Sequence, residues 1–197
     1  MLVVIRHASG LSAELGIVGG HLGCRGLSKK GTLEAISRAE RLQAMGIRLD
    51  VLGQSNILRS QETAEVIAPY LSARLLEATC DLCELHPGPY DGRPVGSLPM
   101  SIDPYLDPSV PYLPGAETVS ELNFRVESYL GELVDYSMDH GVGVVVHLGV
   151  IRAIAEMTIG VDPDTLVKYS HPASAWIFKL SKSKGGRPYL QLQGASR

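Results

Sequence analysis

The chain has 197 residues, 45% of them hydrophobic and 20% charged, which is enough apolar material for one sizeable core. Its formal net charge of −3 offers no positive field to nucleic acid or to an anionic membrane. The most apolar long stretch, residues 141–161, contains His147, Arg152 and Glu156, which argues against a membrane span.

Leu2 to Ile5 is a run of four apolar, mostly β-branched residues, the pattern of a strand buried on both faces of a parallel sheet. It has no basic segment before it and reaches Arg6 after five residues, so it does not read as a signal peptide. With three cysteines in the chain, the expected compartment is the reducing cytoplasm. The run ends in Arg6-His7, and a glycine-rich loop follows from Ala8 to Leu27. Ser28 is a candidate N-cap for a helix whose apolar stripe is Ala35, Ile36, Ala39, Leu42 and Met45 and whose stop is Gly46. Residues 50–55 read as a second strand. Residues 57–71 read as a second helix, with Arg59 in its first turn.

Residues 86–116 hold eight of the chain's twelve prolines, which excludes helix and central strand. Tyr90, Leu98, Ile102, Tyr105, Tyr112 and Leu113 give this stretch side chains to pack, so it reads as an ordered lid rather than a linker. A helix is expected over 117–138, with Val119, Leu122, Val126, Leu130 and Leu133 on one face. Residues 141–147 form a second buried strand ending in histidine, and 150–159 a further helix. Two more strands are expected at 175–180 and 189–192. Alternating strands and helices predict an α/β fold: a three-layer α/β/α sandwich with a mostly parallel central sheet, in a single domain spanning 1–197.

Two buried strands thus end in histidine, at His7 and His147. If they are neighbours, both imidazoles meet at one sheet edge, where open α/β sheets bind their ligands. With Arg6 and Arg59 beside them, they make a pocket for a dianionic phosphoryl group, and a histidine there can attack phosphorus. The plainer alternatives are two surface arginines and a core histidine satisfied by backbone.

In these segments the sequence resembles the histidine phosphatase superfamily, the phosphoglycerate-mutase-like fold. The likeness runs through Arg6-His7, Leu27-Ser28-Lys29-Lys30-Gly31, and Ser55 to Ala64 with its Ser-x-x-x-Arg-x-x-x-Thr-Ala pattern. It continues through Glu84, Gly115-Ala116-Glu117-Thr118 and the His147 strand. The chain departs from the common pattern at Ala8-Ser9-Gly10, Val146 and Leu148. The resemblance implies a phosphohistidine mechanism without a metal or other cofactor. His7 is the nucleophile, and Arg6, Arg59 and His147 bind the phosphoryl oxygens. His147 also counts with His7 and Glu84 in the catalytic set, and Glu84 is the proton donor, although Glu77, Asp81 and Asp91 lie close in sequence. The implied activity is that of an acid-type phosphoric monoester hydrolase. A phosphoglycerate-type mutase and a low-turnover phosphate-binding module are the alternatives. The expected partner is a small-molecule phosphate ester, with no nucleic acid and no membrane, and a homodimer is left open.

From Leu75 to Phe124 the only Lys or Arg is Arg93, so the lid is not expected to pair a second anionic group on the substrate. A monophosphate with a neutral remainder is expected. His21-x-x-Cys24 and Cys80-x-x-Cys83 have the two-residue spacing of a zinc site, against which stands the plainer reading of ordinary thiols. The favoured assignment names no metal ligand.

Overall fold

The computed structural model describes residues 1–100, 103–158, 161–182 and 188–196. In chain order these form β1 (Leu2–Arg6), α1 (Leu11–Glu14), α2 (Lys29–Ala44), β2 (Val51–Gln54), α3 (Leu58–Leu71) and β3 (Arg74–Leu75). Then come α4 (Val119–Tyr136), β4 (Val142–Val146), α5 (Leu148–Glu156), α6 (Pro163–Lys168), β5 (Ala175–Lys182) and β6 (Pro188–Ser196). The strands make one six-stranded sheet in the order β3-β2-β4-β1-β5-β6. β3, β2, β4 and β1 run parallel, while β5 is antiparallel to both of its neighbours.

Side chains alternate across a strand, and here both faces are apolar. Leu2 and Val4 join Val142, Val144 and Val146 against Leu122, Val126 and Leu130 of α4 and Val150, Ile151 and Ile154 of α5. Val3, Ile5, Leu52 and Val145 face the other way, against Ala39 and Leu42 of α2 and Ala64, Ile67 and Leu71 of α3. This is the three-layer sandwich. Each large aliphatic side chain so buried is worth about 1.5–3 kcal/mol, so both cores hold the central strands in place.

Ser28 caps α2 by accepting the Gly31 amide at 3.1 Å. Gly31 also permits a close backbone crossing, since a β-carbon there would lie 2.0 Å from Ser9 O. The start of the first loop therefore rests directly on α2. Thr118 and Glu121 form a reciprocal capping box that starts α4. In the α2 stripe Ala35, Ala39 and Leu42 are buried, but Ile36 is only half-buried and Met45 is exposed. Arg38 is buried instead, donating to Ala173 O and Ser196 Oγ. The short elements α1, β3 and α6 are additions to the elements expected from sequence.

The proline-rich excursion is ordered by backbone bonds to the first loop. Gly92 N–H donates to Val18 O (2.9 Å), Val18 N–H to Arg93 O (2.9 Å) and Val95 N–H to Gly16 O (2.8 Å). Leu113 is buried, and Tyr90, Leu98, Tyr105 and Tyr112 are half-buried. Ile102, and Ile159 at the expected end of the helix after His147, lie outside the described residues.

Candidate active site

β1 and β4 are parallel neighbours, with Arg6 opposite Val146. The His7 amide continues the ladder by donating to Val146 O at 2.9 Å. Both histidines therefore leave the sheet at the same carboxyl edge, with ring centroids 4.8 Å apart. β2 flanks β4 on its other side, so Ser55 and the start of α3 reach the same edge.

The hydrogen bonds assign the tautomers. His7 Nδ1 lies 2.7 Å from Ala8 O, an acceptor, so Nδ1 carries the proton. Its Nε2 carries the lone pair and accepts from Arg59 Nε at 3.0 Å. His147 Nδ1 lies 3.1 Å from Arg59 NH2, which only donates, so the proton is on Nε2, 2.7 Å from Ser55 Oγ. Arg59 also donates through NH1 to Gly19 O, so one guanidinium spans both imidazoles and the first loop. Burial holds both histidines well below their usual pKa, with the Arg59 cation adding to it at His7 and the His7 ring and Arg59 adding to it at His147. Both rings are neutral near pH 7.

Arg6 lines the same cleft and donates through NH1 to Ser170 O. Burial lowers its pKa, and the Glu84 carboxylate opposes that shift. Glu84 accepts the Leu85 amide at 3.0 Å and the Gly149 amide at 3.1 Å. Gly149 lies in the first turn of α5, where the helix dipole favours a carboxylate. The other nearby carboxylates are engaged elsewhere. Asp91 accepts the amides of Gly20, Leu22 and Gly23, and Asp81 takes the Thr79 hydroxyl. Glu77 is exposed and lines neither cleft.

Two clefts meet at this point. One, of about 230 Å³, is lined by Arg6, His7, Ser12, Gly19, Arg59 and Glu84. The second, of about 170 Å³, shares Gly19, Arg59 and Glu84 and adds Val18, Ile57, Leu85, His86, Pro87 and Tyr112. Burial, reinforced by the Glu84 charge, pushes the Tyr105 and Tyr112 hydroxyls up to about 12, so both stay neutral donors.

The model of the histidine phosphatase superfamily (branch 1) matches residues 2–193. The chain belongs to that superfamily. Among solved structures, a mycobacterial glucosyl-3-phosphoglycerate phosphatase in complex with VO3 is similar, at 18% identity and a TM-score of 0.76 over 98% of this chain and 97% of that one. The alpha-ribazole phosphatase of Shigella flexneri is similar at 19% identity and a TM-score of 0.70, covering 97% of this chain and 94% of that one. A protein from Thermus thermophilus has 26% identity and a TM-score of 0.63, over 97% of this chain and 98% of that one. No curated protein matches.

Within this branch-1 fold, Arg6, His7, Arg59, Glu84 and His147 all converge on one sheet edge. Three supporting residues had no role in the sequence reading. Ser55 fixes His147. Ser60 Oγ donates to Val145 O (2.7 Å), tying α3 to β4. Thr63 accepts the Ala8 amide at 3.1 Å and so holds the loop after His7. All three lie in the Ser55–Ala64 segment, whose pattern carried their positions but not their partners. Cys24 belongs here too: its sulfur accepts the Arg59 backbone N–H at 3.4 Å. It shares an apolar cluster with Ile57 and Cys83, but it lies outside the group His21, Cys80, Cys83 and His86 whose metal-binding atoms converge, unlike the set that the sequence spacing suggested. Among the described residues no helix is long and apolar enough to cross a membrane.

Proposed function

We propose that the chain hydrolyses small phosphate monoesters, without a metal in the chemical step, through a phosphohistidine at His7. The observation that carries this is the state of His7: buried, neutral, its Nδ1 proton pinned to Ala8 O and its Nε2 lone pair in a cleft with two arginines. A ring so fixed is a nucleophile without further activation.

His7 Nε2 forms the N–P bond as the ester P–O bond breaks. The Arg59 Nε–H now bonded to Nε2 turns to a phosphoryl oxygen, and Arg6, Arg59 and His147 hold the three non-bridging oxygens. Arg6 Nε is buried with no hydrogen-bond partner among the described residues, a donor suited to such an oxygen. Glu84 gives its proton to the departing oxygen. It then takes a proton from the water that attacks phosphorus, the N–P bond breaks, and orthophosphate leaves.

The second cleft supports a neutral leaving group. It is lined by Val18, Ile57, Leu85, Pro87 and Tyr112, and among the described residues its only Lys or Arg is Arg59. Lys29, Lys30 and Arg25 are exposed and line neither cleft, and Lys30 pairs with Glu34 at 3.5 Å. A sugar, nucleoside or small alcohol monophosphate fits this lining, whereas a phosphoglycerate or bisphosphate finds no partner for its second anion. The test is hydrolysis of an aryl phosphate in the presence of EDTA, with rapid acid- and base-quench trapping of labelled phosphate. The reading requires an acid-labile, base-stable phosphoryl group that is absent in His7→Ala. Turnover with no such adduct overturns it.

A further inference from the structure

Beside the clefts, four side chains from two separate segments turn their metal-binding atoms toward one point. They are His21 of the first loop, Cys80 and Cys83 of the turn before Glu84, and His86 just after it. Their donor atoms all lie within 4.8 Å of one another. His21 Nε2 is 3.4 Å from Cys80 Sγ and 3.4 Å from Cys83 Sγ, and His86 Nε2 is 3.3 Å from Cys80 Sγ. Zinc bonds of about 2.3 Å to sulfur and 2.0–2.1 Å to nitrogen, set tetrahedrally, place sulfur and nitrogen about 3.5 Å apart. Three of the four sulfur–nitrogen edges already have about that length.

We propose that His21, Cys80, Cys83 and His86 form a structural zinc site that clamps the first loop to the Glu84 segment. Two thiolates and two imidazoles are the donor set that selects zinc, and four protein ligands leave no open position for catalysis. Binding releases one proton from each thiol, so the occupied site is neutral. The spacing Cys80-x-x-Cys83 carries two ligands, and Glu84 sits between Cys83 and His86.

The supports of the ligands point the same way. His86 Nδ1 faces Glu117 Oε2 at 3.5 Å while its Nε2 faces the sulfur, the carboxylate–histidine–metal arrangement that orients a ligating ring. Glu117 is itself held by Arg125 at 2.7 Å. Arg125 in turn donates to Cys80 O (3.0 Å), Asp81 O (2.9 Å) and Glu84 O (3.2 Å), fixing the turn that bears both cysteines. Asp91 fixes the other side, since its three amide bonds to Gly20, Leu22 and Gly23 bracket His21. A pair of cysteines kept for redox exchange needs neither imidazole aimed at its sulfurs.

Metal content tests this apart from catalysis. The chain is purified in reductant, reconstituted with zinc, desalted and analysed by plasma mass spectrometry. One equivalent is expected in the wild type, in the inactive His7→Ala and in Cys24→Ser. Cys80→Ser combined with Cys83→Ser is expected to hold none. Because that variant can also fail to fold, wild-type protein is loaded with cobalt(II). Strong visible d–d bands with a sulfur-to-cobalt charge-transfer band are expected. The proposal is overturned if the wild type retains no zinc, if the double variant keeps it, if Cys24→Ser loses it, or if the cobalt spectrum is that of a weak octahedral site. Since His7→Ala is included, failure here leaves the phosphatase reading untouched, and the reverse also holds.

Discussion

Glu84 and Gly149 fit together so closely that a β-carbon on Gly149 would lie 2.3 Å from Glu84 Oε1. The glycine lets the α5 amide reach the carboxylate, and the two residues come from segments 65 positions apart. A clash with the tip of a flexible side chain is relieved by moving that tip, not the backbone. Gly149→Ala is therefore expected to keep its melting temperature within a few degrees while displacing Glu84. Turnover of an alkyl phosphate should fall well below that of the wild type, and turnover of nitrophenyl phosphate should fall much less, because nitrophenolate leaves without a proton. Equal losses on both substrates would show that the contact does not serve the proton donor.

Glu84→Gln removes the proton but keeps the shape. The same contrast between substrates is expected, and more strongly. If an alkyl phosphate is cleaved as fast as by the wild type, the donor is another group.

Arg59 holds both imidazoles and the Gly19 carbonyl with one planar fork. Arg59→Ala is expected to lose about a hundred- to a thousandfold in kcat, the scale for removing one donor to a transition-state oxyanion. Arg59→Lys should recover little, since an ammonium cannot bridge three acceptors set in a plane. Measured kcat near wild type for Arg59→Lys would mean that the fork does not grip the phosphoryl group.

The pH dependence follows from burial of the two rings. His7 and His147 are held well below 6.5 in the folded protein and return to about 6.5 when unfolded. As pH falls through 6.5, the unfolded chain takes up protons that the folded site refuses, so stability is full above that value and is lost below it. Chemical denaturation at stepped pH should show this loss, and replacing His147 with Asn should flatten it. For catalysis the direction is that of an ordinary imidazole base, activity being lost on protonation, but the limb lies lower. His7 stays neutral below pH 6.5, so the acid limb of kcat/KM should break lower than 6.5. A break at 6.5 would show a nucleophile that titrates freely.

A panel of phosphate esters at fixed ionic strength tests the leaving-group side. Monophosphates with neutral remainders are expected to give the highest kcat/KM. If a phosphoglycerate or bisphosphate leads, the second cleft has been misread and a mutase becomes the better description.

Much of this site is written locally in the chain. The runs ending at His7 and His147 are legible because burial on both faces demands unbroken β-branched sequence, and the polar residue that ends such a run marks the sheet edge. Ser28 is legible as a cap because a cap needs its residue type at a fixed offset, whereas the capping role of Thr118 and the close crossing at Gly31 appear only in the structure. Arg59 is visible as a cation in the first turn of a helix, and the proline density of 86–116 excludes regular structure. The brief α6 and the two-residue β3 carry too few residues for any period to show.

What the sequence leaves undecided is every relationship set by strand order and loop closure. Nothing local says that β4 inserts between β1 and β2, yet that order alone brings His147 beside His7 and seats it on Ser55. Four carboxylates near position 84 look alike in one dimension. Folding separates them because Asp91 meets the loop amides and Glu84 meets the first turn of α5. Spacing likewise pairs Cys24 with His21, but the helix that carries Arg59 draws Cys24 to its own N–H, and His86 takes the place beside the sulfurs. Periodicity reports only which face of an element is buried. Which groups then share a site depends on packing across the whole chain, and that is fixed only when the tertiary structure forms.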